Sequence, residues 1–157
     1  MKKFFFLLLT TLALVACEGP VGPSGPPGPG TQWNIEYVEV QPGDWQRISN
    51  PNNPNEIYYR YVRKFQNIKD SKTLTYIYDN GKTSAFLYHN YDPSGNNPDE
   101  TQTSLPYVLN LNDKFNNPYT ETWYYDYSIE DIAFYVAYSG DVQTSPGYAV
   151  FRVVMNW

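Results

Sequence analysis

The chain has 157 residues, 41% of them apolar and 18% aromatic, with 16 Tyr against 2 Met. Its 16 acidic and 11 basic side chains leave a formal charge of −5, which excludes the basic face that phosphate contacts demand and so argues against a nucleic-acid partner. One Cys rules out an intrachain disulfide, and one His rules out a histidine-cluster metal site.

The first element in chain order is a leader. Lys2 and Lys3 form a short positive region, Phe4 to Leu14 an apolar one, and Leu14-Val15-Ala16-Cys17 closes it. The run is shorter than the roughly 20 residues a bilayer-spanning helix requires. A Leu three residues ahead of a Cys, with Ala immediately before it, resembles the lipobox of bacterial lipoproteins. That resemblance implies cleavage between Ala16 and Cys17 and acylation of Cys17. Residues 1–16 are then a signal peptide, and the membrane is a partner through lipid alone. Each buried methylene contributes about 0.8 kcal/mol, so the several acyl chains of a mature lipoprotein hold persistently. Without Lys2 and Lys3, 9 basic groups face 16 acidic ones, a charge of −7. With Cys17 committed to lipid, no thiol is left for a nucleophile or a thiolate metal site.

Residues 17–30 follow as the lipidated Cys and a linker. Gly19-Pro20-Val21-Gly22-Pro23-Ser24-Gly25-Pro26-Pro27-Gly28 places Gly at every third position, the grammar of collagen. About four triplets are too few to hold three chains together unaided, so the tract is expected to be an extended stalk and the protein a monomer. At ~3.1 Å per residue in polyproline II the twelve residues from Gly19 to Gly30 would lift the domain on the order of 35–40 Å. Lipobox, short Gly-Pro tract and an aromatic β domain ending in Phe151-Arg152-Val153-Val154-Met155-Asn156-Trp157 together resemble a group of collagen-like lipoproteins of Bacteroidetes-type bacteria. The resemblance implies residence at the outer membrane, displayed at the cell surface or, since only Glu18 stands where relatives carry an acidic export run, facing the periplasm; it implies no particular activity.

From residue 31 to 157 strand signals follow one another at short intervals. The expected strands are Gln32–Val40, Trp45–Ile48, Glu56–Phe65, Thr73–Asp79, Thr83–Tyr91, Tyr107–Leu111, Glu121–Asp126, Ile132–Tyr138 and Tyr148–Trp157, with breaks at Pro42-Gly43-Asp44, Asn50-Pro51-Asn52-Asn53-Pro54, Asn117-Pro118 and Ser145-Pro146-Gly147. Nine short strands with regular turns predict a single all-β domain, an antiparallel β-sandwich or jelly roll. Asp79-Asn80-Gly81-Lys82 reads as a type I′ hairpin turn, which would set Tyr78 opposite Thr83, Tyr76 opposite Ala85 and Leu74 opposite Leu87. Ser128-Ile129-Glu130-Asp131 is expected to form one short helical turn. In the final strand Ala149, Phe151, Val153, Met155 and Trp157 are expected to face the core.

Chemistry-bearing patterns are sparse. His89 stands alone, and no Gly-x-Ser-x-Gly turn or other nucleophile signature appears, so no catalytic residue is assigned and the protein is read as a non-enzyme. The polar stretch Tyr91 to Glu100 offers oxygen ligands. Counted with Asp92 as position one, the sixth position is Asn97 rather than Gly and the twelfth Thr103 rather than Glu, so the stretch does not fit an EF-hand loop, and no metal or cofactor is assigned. The strongest pointers are Trp33, Trp45, Trp123, Tyr124 and Tyr125, whose flat apolar faces beside polar atoms suit sugar rings. The expected function is therefore that of a lipid-anchored, non-enzymatic interaction or envelope-structural domain with a glycan or protein partner. A carbohydrate-binding module and a trimeric collagen-stalked head are the alternatives.

Overall fold

Among the described residues, nine antiparallel strands and one α-helix build the domain, and the strands distribute over two sheets that enclose one aromatic core. The computed structural model describes residues 30–50, 53–139 and 144–157; the signal peptide, Cys17 and the Gly/Pro tract up to Pro29 lie outside the described residues. Residues Thr31–Trp157 form one unit.

The strands are β1 (Trp33–Val40), β2 (Gln46–Asn50), β3 (Asn53–Lys64), β4 (Lys82–His89), β5 (Thr101–Ser104), β6 (Tyr107–Asn112), β7 (Pro118–Tyr127), β8 (Asp131–Tyr138) and β9 (Ala149–Asn156). The first sheet runs β1-β9-β4-β5 and the second β2-β3-β8-β7-β6. The chain passes between sheets at a 3-10 turn over Pro42–Asp44, through the helix α1 (Ser71–Asn80), at the Leu105–Pro106 corner, and again before β9. The all-β sandwich read from the sequence is the architecture observed.

The C-terminal strand lies inside its sheet. Ile35 of β1 and Ser84 of β4 both pair with Val154, and Gln32 and Trp157 exchange backbone hydrogen bonds at 2.8 and 3.1 Å. Ala149, Phe151, Val153 and Met155 face the second sheet and are buried, as the alternation predicted. Phe151 stacks on Phe134 of β8 with ring centroids 3.9 Å apart, joining the two sheets at the centre of the core. Truncating such a ring to Ala costs about 3–5 kcal/mol.

The expected hairpin is not formed. Residues Ser71–Asn80 are helical, so Thr73–Asp79 is not a strand and the cross-strand pairs drawn across Asn80-Gly81 do not exist. Two caps and one apolar stripe decide the matter. Asp70 accepts the Thr73 backbone N–H at 2.9 Å and the Thr73 hydroxyl at 2.7 Å, the Gly81 N–H closes on Ile77 O at 2.8 Å, and Leu74 and Ile77 at i, i+3 are the buried positions. Gly81 has an ordinary negative φ; what it supplies is room. A Cβ there would lie 2.7 Å from Asn156 O and 2.8 Å from Ile77 O.

Two smaller expectations also change. Ser128–Asp131 is a tight turn between β7 and β8 rather than a helical turn: Ser128 N–H donates to Asp131 O at 2.8 Å, while the Ser128 hydroxyl accepts from the N–H of Glu130 and of Asp131. β5, four residues of polar sequence pairing with β4 from Phe86 to His89, was absent from the expected strands.

Candidate functional site

The five aromatic residues singled out by sequence fall in four different environments. Trp45 and Trp123 are core residues, each only 7% exposed, meeting edge to face at 5.9 Å and both packing on Phe151. Trp45 Nε1–H is satisfied by Gly147 O at 3.2 Å and Trp123 Nε1–H by the Glu121 carboxylate, so neither ring nor N–H is offered to a ligand. Their assignment as ligand-binding residues is corrected accordingly: large apolar rings at inward strand positions are consumed by the core. Tyr124 lies on the outward face of the second sheet, stacked on Tyr135 at 4.8 Å. Tyr125 points inward and donates its hydroxyl to Thr83 O at 3.0 Å. Trp33 alone is openly displayed, 62% exposed on β1.

Trp33 belongs to a surface that extends across the first sheet. On β1 the even residues Glu36, Val38 and Val40 are buried, which turns Trp33, Ile35, Tyr37 and Glu39 outward. Register brings Tyr37 opposite Arg152 and Arg152 opposite Phe86, so Arg152 sits mid-sheet with its guanidinium 5.8 Å over the Phe86 ring. An Arg152 Nη1–H donates to Gln102 Oε1 at 3.3 Å. Tyr88 bridges neighbouring rings, 6.2 Å from Tyr37 and 5.1 Å from Tyr91. Tyr148 donates to Glu39 Oε2 at 3.1 Å. This layer lies over Val150 and Val154, which face outward in register yet are 1% and 8% exposed.

The surroundings of Tyr88, Tyr91 and Tyr148 on this face favour their protonated form. Partial burial, the hydrogen bond with Tyr37 and the nearby Glu100 push the Tyr88 hydroxyl up to about 12, with Arg152 opposing. Partial burial and then Glu39 raise Tyr91 as well, and partial burial with the Glu39 hydrogen bond raises Tyr148. At neutral pH the face therefore presents hydroxyl donors, apolar rings, one guanidinium and the carboxylates of Glu39 and Glu100, and no phenolate base.

Sequence reasoning missed Tyr37, Tyr88, Tyr91, Tyr148 and Arg152 as surface partners of Trp33. The alternation in Trp33-Asn34-Ile35-Glu36-Tyr37-Val38 carried the signal on β1, because Val38 and Val40 share a side and the aromatics share the other. Tyr91 and Tyr148 come from loops, and only the folded register brings them near.

A second feature opens at the Leu105–Pro106 corner. There β5 has ended, so Lys82 to Ser84 of β4 pair with β9 alone, and Tyr124 to Tyr127 of β7 pair with β8 alone. The gap is a cleft of about 630 Å³ lined by Tyr78, Leu105, Pro106, Tyr125, Asp126 and Tyr127.

The remaining polar motifs are internally satisfied. His89 Nε2 lies 3.0 Å from Thr103 Oγ1, and its ring meets Tyr107 edge to face at 5.4 Å. In the Tyr91–Glu100 loop the Asp92 carboxylate takes the Ser94 N–H and hydroxyl and the Asn96 N–H, while Glu100 takes the Asp92 N–H. Gly95 at φ +68° completes the turn. Among the described residues no group of three or more His, Cys, Asp or Glu is placed to hold a metal ion, and no helix is long and apolar enough to cross a membrane. No protein family, curated protein or solved structure matches this chain.

Proposed function

We propose that this is a lipid-anchored, non-enzymatic recognition domain, tethered through acylated Cys17 and the Gly/Pro stalk at the outer membrane and turned toward the cell exterior. The observation that carries the reading is the outward face of the first sheet, where Trp33, Tyr37, Tyr88 and Arg152 form an apolar and hydrogen-bonding surface in which Trp33 and Tyr37 are 62% and 51% exposed. A run of exposed apolar rings rimmed by polar groups is the kind of patch that marks interaction surfaces, and Trp, Tyr and Arg are the residues that dominate their binding energy. The face runs across the neighbouring strands β1, β9 and β4, a span that suits an extended polymer or a protein surface.

The carbohydrate reading gains from one specific arrangement. Arg152 and Gln102 present planar polar groups beside Phe86 and Tyr88, so a sugar can place its C–H face on a ring while its hydroxyls meet guanidinium, amide or carboxylate.

The test has two arms. Labelling cells with a fatty-acid analogue is expected to mark the wild-type protein and leave Cys17→Ala unmarked. Full-length protein is then compared with the Trp33→Ser/Tyr37→Ser variant for binding to fixed cells and isolated envelope of the producing bacterium. Loss of binding in the variant, with an unchanged melting temperature, is the expected result; equal binding contradicts the assignment of the face.

A further inference from the structure

Tyr125 and Tyr127 occupy alternate positions of β7, and their rings are near parallel, 18° apart with centroids at 6.4 Å. Tyr78 of α1 stands at 77° to Tyr127 with centroids at 5.9 Å, forming a wall across one side. Leu105 and Pro106 border the other side, and the recess, open to solvent, measures about 630 Å³, within the range of small-ligand sites at roughly 300–1,000 Å³.

We propose that this cleft is a second binding site, separate from the outward face of the first sheet, and that it takes one end of a neutral saccharide.

Three observations select that chemistry. The walls are tyrosine rings, which accept the apolar C–H face of a pyranose while leaving its equatorial hydroxyls at the rim. The one charged residue along the cleft is Asp126, and its carboxylate turns to the opposite face of β7, where it accepts the Tyr135 hydroxyl at 2.9 Å; no Lys, Arg or His lines the cleft. A uronate, sulfate or phosphate would thus find no counter-charge in the cleft, in a chain that is itself net negative. The Tyr125 hydroxyl is spent on Thr83 O, so that residue contributes its ring face and holds the platform in place.

The cleft also has a structural reason to exist. The Leu105–Pro106 corner carries the chain from the first sheet to the second half-way along their edges, and beyond the corner neither β4 nor β7 has a further strand beside it. An edge left open at that point must be protected, and the aromatic residues with α1 do so while leaving a recess.

The probes are neutral gluco-, manno-, galacto- and xylo-oligosaccharides, their uronate counterparts and a proline-rich peptide, titrated calorimetrically into full-length protein in a zwitterionic detergent free of sugar. At least one neutral oligosaccharide is expected to bind, with affinity falling about tenfold in Tyr127→Ala and severalfold in Tyr78→Ala. Tyr78 is exposed, so its replacement leaves folding intact should Tyr127→Ala unfold. Trp33→Ser/Tyr37→Ser should leave this binding unchanged, which separates it from the outward-face reading. The proposal is overturned if no neutral saccharide binds, if binding is lost with Trp33 and Tyr37 but kept without Tyr78 and Tyr127, or if the uronate or the proline-rich peptide binds more tightly.

Discussion

The Glu36 carboxylate accepts the backbone N–H of Asn67, 31 residues further along the chain, at 2.8 Å. The same carboxylate takes the Gln66 N–H at 2.9 and 3.0 Å on its two oxygens. Glu36 is 5% exposed and sits at an inward position of β1, in line with Val38 and Val40. A buried acid at that position is tolerated because charge-assisted hydrogen bonds replace its water. Its structural effect is to pin the loop that leaves β3 for α1 against the edge of the first sheet.

Replacing Glu36 by Ala leaves two backbone donors unmatched and is expected to destabilise the domain by about 1–3 kcal/mol, with Glu36→Gln losing less because one carbonyl oxygen remains. Denaturant midpoints of the two variants check the order. Equal losses would mean that burial volume, and not the hydrogen bonds, sets the cost.

Gly81 is expected to be intolerant of any side chain. Its Cβ would lie 2.7 Å from the Asn156 backbone oxygen, which belongs to the central strand β9 and cannot move freely. Gly81→Ala should cost about 1–3 kcal/mol through overpacking. A Gly43→Ala control, where the Cβ meets nothing within 4 Å, should be close to neutral.

Acid should weaken the fold through its loop and cap carboxylates. Asp70, Asp92 and Asp113 all have pKa values below the ordinary 3.8, held down first by side-chain hydrogen bonds from Thr73, Ser94 and Asn117 respectively. Below 3.8 the unfolded chain binds protons that the folded chain resists. Stability is therefore complete above that value and falls as pH drops through the lowered ones. Melting temperature is expected to hold steady above about pH 5 and decline below about pH 4, with a shallower decline in Asp70→Asn/Asp113→Asn.

The sandwich was legible because alternation and Pro/Gly breaks are local signals. Val38 and Val40 against Tyr37 and Glu39, or Phe151 and Val153 against Arg152, announce their faces without help from the rest of the chain. Asn80-Gly81 misled because that dipeptide serves a type I′ turn and a helix end equally well. The deciding evidence lay ten residues earlier, in Asp70 as an N-cap and in the i, i+3 spacing of Leu74 and Ile77. β5 escaped notice because Thr101–Ser104 is short, polar and at a sheet edge, where hydrophobic alternation is not required.

The candidate surfaces were less legible still. Composition cannot tell Trp33 from Trp45 or Trp123; only their placement on strands that face outward or inward does. The cleft depends on where β5 and β6 stop pairing with their neighbours, a matter of register between strands distant in sequence. No local pattern in Tyr125-Asp126-Tyr127 announces it.

The central claim is that the outward face of the first sheet meets the domain's partner while Cys17 holds the protein to the membrane. Site-specific photo-crosslinking in living cells tests it most directly, with a benzophenone side chain placed singly at Trp33, Tyr37 or Val108 of the full-length, lipidated chain. Val108 is 53% exposed and lies on β6 in the other sheet, so it serves as the control for chance encounters. Discrete adducts from positions 33 and 37, absent from 108, are the predicted result. Adducts from 108 alone, equal adducts from all three, or none at positions 33 and 37 would contradict the account.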